Sequence, residues 1–246
     1  MAILKGILGF FLSLRTTIWL TLLLLALLLY GSVIMPLNEE FQALHTVPLF
    51  PWLEESPPAI TWWLFAAIAV LSLLTANTIF CSLESLIKKR GSRQFLLVVS
   101  PQVIHIGFLF ILLAHLFSSY DSFRGMTYVG EGTRLSLPNN TSILFERINT
   151  GISPSGYLID WSAEITRLDE QGKPAGRSVI GPNAPAFFKG FGIYIKTVQP
   201  GPLTTALIEV SRDPGAVWAL AGGVLFLAGM ITLLIVKIRR EDAAEG

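Results

Sequence analysis

Charge and cysteine are what this chain lacks. Of its 246 residues only 14% are Asp, Glu, Lys or Arg, where a soluble domain carries about 25%. The one cysteine, Cys81, leaves no partner for an internal disulfide. A CxxC redox site, a CxxCH heme-attachment site and a thiolate metal cluster are excluded with it. The net charge of +1 offers no basic field for nucleic acid and no pull on an acidic macromolecule. There is no HExxH, no GxSxG and no phosphate loop, and Gly130-Glu131-Gly132 has neither the spacing nor a following helix to make one. Hydrolase and nucleotide chemistry are therefore disfavoured, and any chemistry belongs to a bound cofactor.

What is present is long apolar sequence. Hydrophobic residues make up 52% of the chain. A bilayer core takes about 20 apolar residues in helix. Uncharged stretches of that length lie at about Thr16–Pro36, Ile60–Phe80, Val98–Ser118 and Gly215–Val236. The second is the most polar, with Asn77 and several Ser and Thr. The first is too long for the apolar part of a leader, and no small-x-small site follows at Ser32–Asn38, so it reads as a retained span.

Lys and Arg set the expected orientation. Lys5 and Arg15 precede the first span, Lys88, Lys89, Arg90 and Arg93 separate the second from the third, and Lys237, Arg239 and Arg240 follow the fourth. The loop between the first two spans carries Glu39, Glu40, Glu54 and Glu55 and no Lys or Arg. The expected protein is thus a polytopic α-helical membrane protein of the bacterial inner membrane, with both termini cytoplasmic. Residues 1–118 hold three spans (16–36, 60–80, 98–118), an outer loop 37–59 and a basic cytoplasmic loop 81–95; residues 119–213 form a periplasmic domain; residues 214–246 hold the fourth span and tail.

The outer loop, with Phe41, Phe50, Pro51, Trp52, Pro57 and Pro58, suits the headgroup layer or the underside of the outer domain. From Tyr120 to Asp213, nine Lys or Arg balance nine Asp or Glu, and Gly and Pro punctuate short β-prone pieces. Strands are expected at Thr133–Leu137, Ser142–Asn149, Tyr157–Leu168, Ser178–Gly181, Gly192–Gln199 and Thr204–Val210. A hairpin is expected at Asp169-Glu170-Gln171-Gly172-Lys173. Together they predict one small antiparallel sandwich or barrel. Asn139-Asn140-Thr141-Ser142 matches a glycosylation sequon, a pattern common by chance.

Two of the three histidines, His105 and His115, lie inside the third span. An imidazole in a membrane helix is costly and is by default a functional candidate; it is also a common axial ligand of heme iron. Ten residues of helix separate the two by about 15 Å and turn them about 80° apart, so they do not ligate one iron together. His105 belongs to the inner half, either as a ligand or hydrogen-bonded to a Ser or Thr of a neighbouring helix. His115 lies near the outer surface, as a weaker ligand candidate or bonded to water and headgroups. His45, in the first outer loop, is the weakest candidate and reaches the level of His115 rather than His105. Gly107 clears space beside His105 for a flat macrocycle or for a neighbouring helix. Cys81 reads as a buried structural thiol.

Several segments resemble the ResB family of cytochrome c biogenesis, system II. They are Ser13-Leu14-Arg15-Thr16-Thr17-Ile18-Trp19-Leu20 before the Leu-rich first span, Cys81-Ser82-Leu83 closing the second, and His105-Ile106-Gly107-Phe108 in the third. Pro182-Asn183-Ala184-Pro185, Gly190-Phe191-Gly192-Ile193-Tyr194 and Asp213-Pro214-Gly215 complete the set. The resemblance implies heme b bound through His105, a CcsA-type membrane partner, apocytochrome c as client, and a place in a heme lyase (cytochrome c synthetase) complex. The family's outer domain is much larger than residues 119–213, a departure that bears on holding apocytochrome more than on heme. The alternatives are a membrane anchor or electron-transfer subunit of a periplasmic redox complex, and a scaffold without cofactor.

Overall fold

The computed structural model describes residue 6 and residues 9–89, 95–138, 141–169 and 171–245, with residues 243–245 described by backbone only. Lys5, Arg90, Arg93, Asn139, Asn140 and Glu170, on which parts of the orientation, sequon and turn readings fall, lie outside the described residues. The helices are α1 (Leu14–Ile34), α2 (Leu49–Glu55), α3 (Pro58–Lys88), α4 (Phe95–Asp121) and α5 (Ala216–Glu245). Four of them, all but α2, contain stretches long and apolar enough to cross a membrane. The chain divides into two compact units, one formed by the long helices and most of the first loop, the other by His45–Val47 and Asp121–Pro214.

In the helical unit, local chemistry sets the helix ends. Ser13 caps α1, its hydroxyl accepting from the Thr16 N–H at 3.5 Å. Pro58 opens α3, where a missing N–H costs nothing. Beyond its apolar stretch α3 runs on through the polar residues to Lys88, because Ser82–Lys88 contains no breaker. The bend before α1 frees the Phe11 carbonyl, which accepts from Asn77 Nδ2 at 2.8 Å and from the Cys81 thiol at 3.3 Å. Thr17 Oγ1 donates to Asn77 Oδ1 at 2.6 Å. Asn77, only 1% exposed, thereby ties α3 to α1 and its N-terminal approach. The Asn77 amide of the second span is thus spent on joining two helices.

The first loop folds rather than lying extended. It forms 3-10 turns at Met35–Leu37 and Glu39–His45, followed by α2. Phe41, Trp52, Leu53 and Trp63 are buried together, with Leu27, Ile34 and Met35 packed around them. Trp52 Nε1 donates to the Glu40 carbonyl at 3.1 Å. These aromatics cover the ends of α1 and α3.

The second unit holds β1 (Phe123–Gly130), β2 (Arg134–Ser136), β3 (Ser142–Ile152), β4 (Leu158–Leu168), β5 (Pro174–Ile180), β6 (Ala186–Phe188), β7 (Phe191–Gln199) and β8 (Thr205–Arg212). They form two four-stranded antiparallel sheets, ordered β1-β8-β7-β6 and β2-β3-β4-β5. Both contribute to a single apolar core: Ile143, Phe145, Ala163, Ile165 and Ile180 from one, Ile193, Ile195, Ala206, Ile208 and Val210 from the other. That is a sandwich rather than a barrel. The β4–β5 turn closes on Asp169, whose Oδ1 accepts from the N–H groups of Gln171 at 2.9 Å and Lys173 at 2.8 Å. Gly172 supplies the left-handed residue there, with φ 78°.

Glu209 is the sandwich's buried charge, 3% exposed on the central strand β8. Arg124 of β1 reaches its Oε1 at 3.1 Å, and Lys196 of β7 lies 3.0 Å from Oε2. Burial alone would raise its carboxyl pKa, but the hydrogen bonds and charges of Lys196 and Arg124 outweigh it and hold it below the usual glutamate value. A carboxylate depressed in this way stabilises the fold above its unfolded pKa, and the benefit is lost as pH falls through the folded value. Glu209→Gln should cost about 1–2 kcal/mol at pH 7, since both cations remain half exposed. Thermal unfolding of the full chain in nanodiscs should show that deficit shrinking below about pH 4.3 as the wild-type carboxylate protonates.

Candidate functional site

The site is built where α3 and α4 meet. On α4, Ser100, Ile104, Gly107, Ile111, Ala114 and Ser118 form a stripe spaced alternately by four and three residues, against which the α5 glycines pack. A Cβ on Gly107 would stand 2.5 Å from the Phe226 backbone nitrogen and 2.7 Å from the Gly222 carbonyl oxygen. A Cβ on Gly222 would stand 2.6 Å from the Gly107 oxygen, and one on Gly229 would meet Ile104 at 2.7 Å. Gly215 leaves no room beside the Ala114 carbonyl. Two helix backbones touch here through small residues, the usual way helices associate where no hydrophobic effect separates them from lipid. Of the two uses open to Gly107, the contact with a neighbouring helix is the one seen in the packing of α5.

His105 stands one residue, about 100°, away from Ile104 on that stripe, and so turns from α5 towards α3. Its Nδ1 lies 2.9 Å from Ser82 Oγ. Like Thr17, which reaches Asn77, Ser82 bonds to another helix, where most membrane-helix hydroxyls bond to their own. Thr21, Ser72, Thr78, Ser100, Ser118 and Thr232 each donate to the carbonyl four residues back on their own helix. Ser82 instead reaches across to an imidazole on another helix. The hydrogen bond that stood as the alternative to a ligand role is therefore present, and it engages only one ring nitrogen. In the tautomer where Nδ1–H donates to Ser82 Oγ, Nε2 keeps its lone pair. This is the tautomer in which metal-binding histidines are held by an outer partner.

The other candidates are placed differently. His115 is exposed near the end of α4, ten residues from His105 on the same helix, and the two imidazoles are not paired. His45 is exposed at the end of the Glu39–His45 turn and groups with the second unit. Cys81, beside Ser82, is half buried with its thiol on the Phe11 carbonyl. Among the described residues no three His, Cys, Asp or Glu side chains converge as a metal centre. An axial ligand needs no such cluster, since a porphyrin supplies four of the iron's donors itself.

No family model matches the chain, and no curated protein matches it. The resemblance to ResB thus rests on the short segments quoted above. Among solved structures, a cytochrome c heme lyase CcmF superposes over 90% of this chain and 35% of that one, with 15% identity and a TM-score of 0.46. The chain spans about a third of that protein's length. At that level the likeness says nothing of the site.

Ser82 is the residue that sequence reasoning passed over. It sits inside the quoted Cys81-Ser82-Leu83, but a hydroxyl 23 residues from His105 carries no spacing signal, because the register of α3 against α4 decides the pairing. The contact of Gly107 with α5 yields a direct test. Gly107→Leu should lower the stability of the helical unit by about 1–3 kcal/mol through overpacking, read as an earlier thermal transition of cofactor-free protein in detergent.

Proposed function

We propose that this chain is a heme-handling membrane subunit for maturation of c-type cytochromes. In this reading it works with a CcsA-type partner to deliver heme and to hold apocytochrome c. The observation that carries the reading is His105: an imidazole within a membrane-spanning helix, its Nδ1 engaged by Ser82 Oγ at 2.9 Å. A neutral imidazole with one nitrogen anchored has one ligating nitrogen left, and the donor set suits heme b iron. His105 would hold the iron through Nε2, Ser82 would hold the ring's plane through Nδ1, and a further ligand would come from the partner. His115 and His45 are secondary donors in this reading. Bound heme supplies the iron and the vinyl groups to which cytochrome thiols add. The chain's contribution is positioning.

The charges support a bacterial inner-membrane orientation with both termini cytoplasmic and residues 119–213 periplasmic. Lys88 and Lys89 end α3, and Lys237, Arg239 and Arg240 lie in the last part of α5, whereas the segment joining α1 to α3 carries Glu39, Glu40, Glu54 and Glu55. In that orientation His105 lies in the inner half of the membrane and the sandwich on the side where apocytochrome is met.

Absorption spectra of the purified chain, co-expressed with a CcsA-type partner, test the reading. Wild type should show a reduced b-type α-band, and His105→Ala should lose it. Ser82→Ala should keep the band but release heme about tenfold more readily, the usual cost of losing an outer hydrogen bond to a ligating histidine. A wild type without heme, or a band indifferent to His105, sinks it.

A further inference from the structure

At the lysine-bearing ends of α3 and α4 there is a cleft of about 270 Å³, lined by Leu86, Ile87, Lys89, Phe95, Val98 and Val99. Among the described residues its walls are apolar except for Lys89. The cleft shares its helix faces with the Ser82–His105 pair. Val98 precedes His105 by seven residues, two turns of α4, and so lies within about 20° of it around the helix. Leu86 follows Ser82 by four residues on α3, again one face, and Lys89 is the residue that caps the end of the helix. The pair and the cleft therefore lie on one track between the two helices, roughly 10 Å apart by helical rise.

The two lysines at this end are not equivalent. Lys88 Nζ is 2.6 Å from Glu84 Oε1. Lys89 is exposed at the edge of the cleft, and among the described residues no carboxylate pairs with it. A lysine so placed lays its methylenes on apolar surface and keeps its ammonium at headgroup level. The occupant that fits has a flat apolar body, an acid group at one edge and a metal further in.

Building on the function proposed above, we propose that this cleft seats the propionate-bearing edge of heme, with Lys89 receiving a propionate while His105 Nε2 faces the iron. Leu86 and Val98 border the porphyrin's path between the two. Lys89 is on this account a binding residue for heme that leaves ligation itself to His105.

The test uses the full chain with its CcsA-type partner in nanodiscs, titrated with hemin and with hemin dimethyl ester, whose carboxylates are blocked. Hemin affinity should fall about fivefold in Lys89→Ala and about tenfold in Lys89→Glu, and stay within about twofold in Lys89→Arg. The α-band position should not move, because the ligand is unchanged. The dimethyl ester should bind wild type and Lys89→Glu alike. If wild type shows no His105-dependent band, the function proposed above fails and takes the Lys89 seat with it. If the band is present and Lys89→Glu binds hemin like wild type, only the seat is overturned. Loss of co-purified phosphatidylglycerol from Lys89→Glu with hemin affinity unchanged would overturn it too, and make the cleft a lipid site.

Discussion

A membrane interior offers a polar group no water, so every hydrogen-bonding atom carried into it must find its partner in protein. Most of the polar side chains on the long helices meet this demand locally, with Ser and Thr hydroxyls donating to the carbonyl one turn back. Among those that reach across to another part of the chain, Asn77 and Ser82 organise the helical unit. Asn77 spends both its amide and its carbonyl on the start of α1, receiving Thr17 and capping the Phe11 carbonyl. Ser82, five residues along α3, pairs with Nδ1 of His105. One helix therefore holds both the break before α1 and the ring on α4, and the placement of His105 depends on the same constraint that makes it costly to have there.

The helices themselves associate by a different rule. Gly107, Gly215, Gly222 and Gly229 bring α4 and α5 to backbone contact on one side of α4, leaving His105 on a side that α5 does not cover. Close packing on one face and a polar pair on another are complementary: the first gives rigidity, the second gives a ring of defined orientation. At the opposite end of α1 and α3, Trp63 and Phe41 are enclosed and Trp52 Nε1 donates to the Glu40 carbonyl.

The second unit obeys the rules of a water-soluble sheet protein, and its departures from simple alternation are informative. Strand β3 buries Ile143 and Phe145, then Ile148, because a bulge between Phe145 and Arg147 shifts the phase by one residue. That shift blurs a period-two signal, and the same applies to β7 between Ile195 and Thr197. Strand β1 was missed for another reason: of Phe123–Gly130 only Val129 is buried, so there is little pattern to see. Strand β6 has three residues and forms only because β7 lies beside it.

What the sequence by itself determined is whatever depends on composition and local chemistry. Four apolar stretches of membrane-spanning length, a charged and Gly/Pro-punctuated β region between the third and fourth, and a hairpin at Asp169–Lys173 are all written in contiguous residues. His105 stood out alone because an imidazole is expensive in an apolar segment wherever its neighbours are. Tertiary structure alone decided what that imidazole touches. Which face of α4 meets α5, that Gly107 serves helix contact, and that Ser82 is the partner of Nδ1 all follow from the rotation and register of one helix against another. Those are set by side-chain fit between segments far apart in the chain, and no local pattern records them.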